Sequence, residues 1–236
     1  MSKKPVIAID GPAGAGKTSL AKGLAHRLGF LYIDSGAMYR CVGLLAERKG
    51  LACEENPELF LLLESLRISF ETNPEGQRVF ANGEDVTELI RRHEVSRLAS
   101  GFSALPAVRK RLVALQRELG RDGGVVMEGR DIGTNVFPEA KLKIFLTASA
   151  EARAKRRFLE LMEKGQDISF EQVLQDQIRR DESDTSRTLN PLAKAHDALA
   201  LDTSDMTLDQ VVEMVAEKAR GLMDENTVGT QQTDNT

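Results

Sequence analysis

The chain has 236 residues, a hydrophobic content of 41% and a formal net charge of −4, which suits one α/β domain with an insertion or two small domains. The acidic balance argues against a general binder of nucleic acid or anionic membranes. Two isolated cysteines without metal-ligand spacing, and no signal-like N-terminal stretch, predict a reduced cytoplasmic protein.

The first predicted elements are a buried strand over 6–9 and a helix over 19–28, separated by a glycine-rich segment. That segment fits the phosphate-binding pattern G-x-x-x-x-G-K-[ST] in the context that the pattern requires. Turn N–H groups and the start of the helix favour a polyphosphate. We therefore predict a nucleoside-triphosphate-binding loop that comprises Gly11, Pro12, Ala13, Gly14, Ala15, Gly16, Lys17, Thr18 and Ser19.

Within this loop, Lys17 is expected to reach the β- and γ-phosphates, and the Thr18 hydroxyl to ligate Mg²⁺. Asp10 and Glu128 each end a predicted strand beside the loop and are candidates to hold metal-bound water. Which of the two supports the metal stays open. No Asn-Lys-x-Asp motif occurs in the chain, which argues against a GTPase.

Further apolar runs predict strands over 31–33, 125–128, 142–146 and 199–201, separated by helical patterns. This alternation indicates an α/β fold of the P-loop NTPase type, with a five-stranded parallel sheet wrapped by helices. Residues 67–84 break the alternation and predict an inserted antiparallel hairpin with its turn at 74–76. Capping boxes predict later helices that begin near Ser169 and Thr207.

Polar clusters follow two of the predicted strands, at 34–40 and 128–134. Because ligands of open α/β sheets bind beyond the carboxyl ends of the strands, both clusters are expected on the rim that carries the phosphate loop. Two further sets have helical spacing: Arg180, Asp184 and Arg187, and Arg153, Arg156 and Arg157. Composition alone favours a solvated helix face with local salt bridges for both of these sets.

Four segments together, 9–17, 34–40, 128–134 and 136–138, resemble bacterial cytidylate kinases, and the resemblance extends from about residue 6 to 223. It implies one kinase domain over 1–223, with a core of 1–54, 92–150 and 185–223. It also implies a nucleoside-monophosphate-binding insert at about 55–91, which contains a small antiparallel sheet, and a helical lid at about 151–168. The polar segment 224–236 is expected to be a disordered tail.

The resemblance implies transfer of the ATP γ-phosphoryl group to CMP, and to dCMP, with Mg²⁺. The residues that it implies for CMP are Arg40 and Arg130 at the α-phosphate, Ser35, Arg109, Asp131 and Arg187 around cytosine, and Ser100, Arg180 and Asp184 at the sugar. The residues implied to stabilise the transferred group are Lys17, Arg130 and the lid arginines Arg153 and Arg157.

The base chemistry supports cytosine independently, because its 4-amino donor requires an acceptor such as Asp131, and its O2 and N3 require donors such as Arg109 and Arg187. Thymidylate, uridylate and shikimate kinases remain alternatives on the same scaffold. An adenylate kinase is disfavoured because the chain lacks Asp-Gly-Phe-Pro-Arg. A regulatory module that binds ATP without transferring phosphate is the alternative from another class. No long apolar seam requires a dimer, so a monomer is expected.

Overall fold

The computed structural model describes residues 4–73, 76–163, 165, 168–204 and 206–228. These form two compact units. The sheet unit consists of described residues of 1–32 and 122–236, and the inserted unit is Ile33–Arg121. The inserted unit contains the whole of the insert predicted at 55–91.

In chain order the strands and helices are β1 (Val6–Asp10), α1 (Lys17–Leu28), β2 (Leu31–Asp34), α2 (Ser35–Arg48), α3 (Pro57–Ser65), β3 (Ile68–Asn73), β4 (Gly76–Ala81), β5 (Glu84–Asp85), α4 (His93–Phe102), α5 (Pro106–Leu119), β6 (Val125–Gly129), β7 (Leu142–Thr147), α6 (Ala150–Glu163), α7 (Phe170–Thr185), β8 (Leu199–Asp202) and α8 (Leu208–Val228). Helix α8 passes the start of the predicted tail at residue 224, and residues 229–236 of that tail lie outside the described residues.

The larger sheet has five strands in the order β2-β6-β1-β7-β8. Strand β1 pairs in parallel with β6 and β7, and β7 pairs in parallel with β8. The five predicted strands are confirmed. Each of them continues one residue beyond its predicted end, to Asp10, Asp34, Gly129, Thr147 and Asp202.

Helices α1 and α8 pack on the sheet through one apolar cluster. Leu20 and Leu24 of α1 and Val215 of α8 are fully buried there, together with Ile7 and Ile9 of β1. Central strands of parallel sheets are covered on both faces, which explains the continuous apolar runs in the sequence. In the described part of the chain, no helix combines the length and the apolar character needed to cross a bilayer.

The capping boxes predicted for α7 and α8 are both present. Ser169 and Gln172 exchange side-chain-to-backbone hydrogen bonds at the start of α7. Thr207 and Gln210 do the same before α8. Each box satisfies two backbone N–H groups that the first turn of a helix leaves without partners.

The inserted unit contains a small antiparallel sheet in the order β3-β4-β5. Strands β3 and β4 confirm the predicted hairpin, with register from Ile68 opposite Ala81 to Asn73 opposite Gly76. Pro74 and Glu75 of the predicted turn lie outside the described residues. The short strand β5, which pairs with β4, is not anticipated by the sequence pattern.

Helices α2 and α4 of the inserted unit approach closely at Gly43. A Cβ atom built on this glycine would lie 3.0 Å from the backbone nitrogen of Ala99 and 3.1 Å from the carbonyl oxygen of Val95. Neither backbone atom can turn aside as a side chain would. The absence of a side chain at Gly43 therefore permits this helix contact.

Gly43→Ala is expected to lower the free energy of unfolding by about 1–3 kcal/mol, because the added methyl group forces two helices apart. Gly221→Ala in α8 is the matched control, since nothing lies within 4 Å of its built Cβ. The control is expected to gain about 0.5–1 kcal/mol from helix propensity. Urea unfolding measures both changes, and equal stabilities for the two variants would contradict the close approach.

Candidate active site

The glycine-rich loop lies between β1 and α1, as its motif requires. Gly11 has φ 149°, and a Cβ atom on it would lie 2.1 Å from the carbonyl oxygen of Leu146 in β7. Gly14 and Gly16 also have positive φ, of 75° and 90°. A side chain at Gly11 would collide with the sheet, so this glycine lets the loop leave the strand.

Lys17 begins α1 and is 6% exposed. Its Nζ donates to the carbonyl oxygen of Pro12 at 2.7 Å. Burial, reinforced by the positive charge of Arg130, lowers the pKa of Lys17 to about 7, while the carboxylates of Glu128 and Asp10 act in the opposite direction. The ammonium group is therefore poised in a place where added negative charge would stabilise it.

Asp10, at the end of β1, is buried and accepts two backbone hydrogen bonds. The N–H groups of Ile132 and Gly133 donate to its two oxygens at 2.8 and 2.7 Å. Burial raises the pKa of Asp10 to about 6, although these hydrogen bonds oppose the shift. The carboxylate thus anchors the single π-helical turn Ile132–Val136, which follows β6.

Glu128 lies beside β1 on β6, with its main chain paired to Ile9. It is 5% exposed, and its Oε1 accepts a hydrogen bond of 2.5 Å from the Tyr32 hydroxyl. The two candidate carboxylates therefore differ, because both oxygens of Asp10 are engaged by backbone N–H groups, whereas Glu128 is oriented by a side-chain hydroxyl.

Arg130, Asp184 and Arg187 form one ion-pair network. Arg130 Nε donates to Asp184 Oδ2 at 2.7 Å, and Arg187 pairs with Oδ1 of the same carboxylate. Burial alone would raise the pKa of Asp184, but the guanidinium groups around it, of Arg130 foremost, hold that pKa below its usual value. The buried carboxylate thus holds two arginines that were predicted to bind substrate.

The i, i+4, i+7 spacing that predicted one helical face for Arg180, Asp184 and Arg187 does not explain this network. Helix α7 ends at Thr185, so Arg187 lies beyond the continuous face that the spacing required. Arg180 is exposed on α7 and adds to the lowering of the Asp184 pKa. Asp131 is buried next to Arg130, and its Oδ2 accepts a hydrogen bond of 3.0 Å from Asn135.

The three arginines of α6 have different surroundings. Arg153 is buried, donates from Nη1 to Ala13 O at 3.0 Å, and pairs with Asp181 at 2.6 Å. Arg156 donates to the carbonyl oxygen of Thr203 at 2.7 Å. Arg157 is exposed and pairs with Glu160 at 3.0 Å. Of the three, Arg157 matches the solvated face that composition favours.

In the inserted unit, Asp34 accepts hydrogen bonds from the backbone N–H of Ala37 at 3.0 Å and from Arg40 Nη2 at 2.6 Å. Ser35 is buried in the first turn of α2. Arg40 Nε is buried and has no hydrogen-bond partner within the described ranges. The structure thus fixes the direction of Arg40 through a cap residue of the same helix.

Arg109 of α5 is buried, with its guanidinium 5.7 Å from the centre of the Tyr39 ring. Its Nη1 donates to the carbonyl oxygen of Ser103 at 3.4 Å. Ser100 is exposed on α4. The substrate-binding residues predicted in this unit are therefore Ser35 and Arg40 near the start of α2, and Ser100 and Arg109 on two later helices.

Gln177, which no sequence motif identifies, is a further residue in contact with the loop. Its Nε2 donates to the carbonyl oxygen of Ala13 in the phosphate loop at 2.7 Å. A signal was present, because Gln177 shares the buried face of α7 with Val173 and Asp184 at helical spacing. A polar residue on a buried helix face requires a partner.

The parallel sheet, the glycine-rich loop after β1, and Arg130 after β6, which shares Asp184 with Arg187, are typical of a phosphate-loop nucleotide-binding protein with a second cationic cluster. The family model described as cytidylate kinase matches residues 7–221, and the chain belongs to that family. Cytidylate kinases from Carboxydothermus hydrogenoformans and Pelotomaculum thermopropionicum are 50% and 51% identical to it over 211 and 216 residues. These alignments cover 89% and 91% of this chain, and 95% and 96% of those proteins.

Among solved structures, a gluconokinase from Sinorhizobium meliloti 1021 aligns over 97% of this chain and 99% of its own. Its TM-score is 0.48 at 14% sequence identity, and nothing about activity follows from a similarity of that degree.

Asp10→Asn is expected to change how stability depends on pH. Folding raises the pKa of Asp10 from 3.8 to about 6, so the folded state binds this proton more tightly than the unfolded state does. The stability that Asp10 contributes is complete below about pH 4 and is lost as pH rises to about 6. Asparagine does not titrate, so the variant does not lose stability in this way as the pH rises.

Urea unfolding of both proteins between pH 4 and 8 measures the effect. The wild-type advantage over Asp10→Asn is expected to fall by up to about 1.4 kcal/mol per pH unit between pH 4 and 6, and to level off above. Asp209→Asn, at an exposed position in α8, reports any general effect of removing a carboxylate. A constant difference for Asp10→Asn across the range would contradict the burial of a charge there.

Proposed function

We propose that this chain transfers the γ-phosphoryl group of ATP to CMP, and to dCMP, giving ADP and CDP or dCDP. The observation that carries the proposal is the buried Asp184 carboxylate, which holds Arg130 and Arg187 in the unit that carries Lys17. The charge of Arg130 lies near enough to Lys17 to lower the Lys17 pKa. Two cationic groups that destabilise each other are stabilised together by bound phosphates.

The reaction needs no covalent intermediate. An oxygen of the CMP phosphate attacks the γ-phosphorus while the bond to the ADP oxygen breaks, and the transferred group is equally charged before and after. Catalysis then depends on alignment and on neutralising the charge of the equatorial oxygens. We assign that neutralisation to Lys17 and Arg130, with Arg157 as a lid arginine whose exposed pairing with Glu160 is weak enough to exchange for phosphate.

Mg²⁺ fits the residues present. The described residues contain no group of three His, Cys, Asp or Glu side chains that would hold a metal by themselves. In nucleotide sites, Mg²⁺ takes one or two protein ligands and completes its shell with water and phosphate. We propose the hydroxyl of Thr18, an exposed residue, as the direct ligand, with Glu128 orienting metal-bound water and Asp10 holding the backbone N–H groups of Ile132 and Gly133. Bound there, Mg²⁺ would neutralise phosphate charge.

We propose the remaining roles from the family pattern. Arg40 and Arg130 are each assigned to the α-phosphate of CMP, and Arg40 Nε, which has no hydrogen-bond partner among the described residues, supports the role of Arg40. The residues proposed around cytosine are Ser35, Arg109, Asp131 and Arg187, and those at the sugar are Ser100, Arg180 and Asp184. A monomer in the cytoplasm completes the proposal.

CMP-dependent formation of ADP tests the proposal directly. With Mg²⁺ and ATP, ADP release measured in a coupled assay is expected to require CMP, while UMP, AMP, dTMP and shikimate support a small fraction of the rate. A mismatch between a buried polar pocket and the wrong base costs a few kcal/mol, or a factor on the order of 100 in kcat/KM. ADP release that is independent of CMP would instead favour the regulatory ATP-binding module.

Asp131→Ala is expected to lower the CMP/UMP ratio of kcat/KM at least about tenfold, because it removes the acceptor proposed for the 4-amino group. Glu139→Ala, an exposed carboxylate of the same segment, is the matched control for the change in net charge and should keep the ratio. Steady-state kinetics with both nucleotides decide the role. An unchanged ratio in Asp131→Ala would show that Asp131 does not select the base.

A further inference from the structure

The carbonyl oxygen of Ala13, at the tip of the phosphate loop, accepts two side-chain hydrogen bonds. Gln177 Nε2 of α7 donates at 2.7 Å, and Arg153 Nη1 of α6 donates at 3.0 Å. Both donors are buried, at 7% and 5% exposure. Two buried polar side chains from two helices thus converge on one backbone oxygen.

The donors are themselves held in place. Arg153 Nε donates to the carbonyl oxygen of Ala148 at 2.9 Å, and Nη2 donates to Asp181 Oδ2 at 2.6 Å. Asp181 lies one helical turn after Gln177 on α7. Val173 and Leu161 belong to an apolar cluster that packs α6 against α7. The position of the two donors is therefore set by packing and by an ion pair, and not only by the loop.

The peptide that carries this oxygen also carries the N–H of Gly14. The described peptide bonds include no cis bond, and in a trans peptide the C=O and N–H groups point in opposite directions. Donors that fix the Ala13 oxygen therefore fix the direction of the Gly14 N–H. Because φ of Gly14 is 75°, this peptide lacks the steric restraint that a side chain at Gly14 would impose.

Arg153 restrains Gly14 in a second way. A Cβ atom built on Gly14 would lie 3.2 Å from Cβ of Arg153, so the loop backbone packs directly on the stem of this arginine. Hydrogen bonds to the oxygen of a peptide also polarise its N–H and strengthen it as a donor. The arrangement thus both orients and strengthens one anion-binding group of the loop.

We infer that Gln177 and Arg153 are positioning residues for the triphosphate, which hold the Ala13–Gly14 peptide with its N–H directed toward the ATP phosphates. The inference rests on the proposed function, since it assumes that the loop binds ATP. It assigns Arg153 a place behind the loop instead of a contact with the transferred group, which leaves Arg157 as the lid arginine. Loss of the Gln177 donor weakens ATP binding and leaves CMP binding intact.

Gln177→Met tests the inference, because methionine keeps the volume and removes the donor. The control is Gln172→Ala, which removes an exposed side chain of the same helix that accepts its hydrogen bond from the backbone N–H of Ser169, half of the capping box. Calorimetry measures the Kd for Mg·ATP and for CMP separately, steady-state assays give both KM values, and urea unfolding measures stability. In Gln177→Met, Kd and KM for ATP are expected to rise about three- to tenfold, the usual worth of one hydrogen bond, with both CMP values unchanged.

Gln172→Ala is expected to lose stability and to keep wild-type ATP affinity. Wild-type ATP affinity in Gln177→Met, or an equal loss for ATP and CMP that follows stability in both variants, would overturn the inference. If Gln177→Met does not fold, Arg153→Lys keeps the positive charge beside Asp181, loses the guanidinium fork, and is expected to show the same selective loss for ATP. Wild-type protein that binds ATP but does not phosphorylate CMP would refute the proposed reaction and leave the positioning role standing.

Discussion

A buried ammonium group is the constraint on which the candidate active site depends. Lys17 is almost completely removed from water, and the positive charge of Arg130 adds to the lowering of its pKa. Such a position is unfavourable in the free protein and becomes favourable when phosphate supplies the missing negative charge. The carboxylates of Asp10, Glu128 and Asp184 offset only part of the free-energy cost of burying the Lys17 charge. A bound anion would therefore stabilise the charged form of Lys17 further.

The fold places carboxylates that oppose the lowering of the Lys17 pKa at the ends of two neighbouring strands. Strands β1 and β6 bring Asp10 and Glu128 beside the loop, and both carboxylates are engaged by groups of the sheet unit itself. Helix α7 contributes two side chains to the site. Asp184 orients the arginines, and Gln177 donates a hydrogen bond to the loop backbone. Electrostatic preorganisation of this kind is obtained during folding, so that these groups need little reorganisation when charge develops in a reaction.

The sheet was predictable because buried parallel strands are continuous apolar runs. Each prediction ended one residue early, since the last residue of each strand is polar or glycine and breaks the run while still pairing in the ladder. Strand β5 was not predictable, because two acidic residues form it only by pairing with β4. Helical spacing grouped the arginines of α6 correctly on one helix but could not show that Arg153 turns inward. That orientation depends on how α6 packs against α7 and the loop, which spacing does not encode.

The route of the chain through the sheet allows the segment between β2 and β6 to vary in length. The chain leaves the sheet unit along β2 and returns along β6, which is the neighbouring strand, and the N–H of Leu31 donates to the carbonyl oxygen of Gly124 at 2.8 Å. Exit and re-entry are therefore fastened to each other within the sheet unit. Because lengthening a connection between fixed ends costs little entropy, the segment between these two strands can change in length without altering the pairing of the strands themselves.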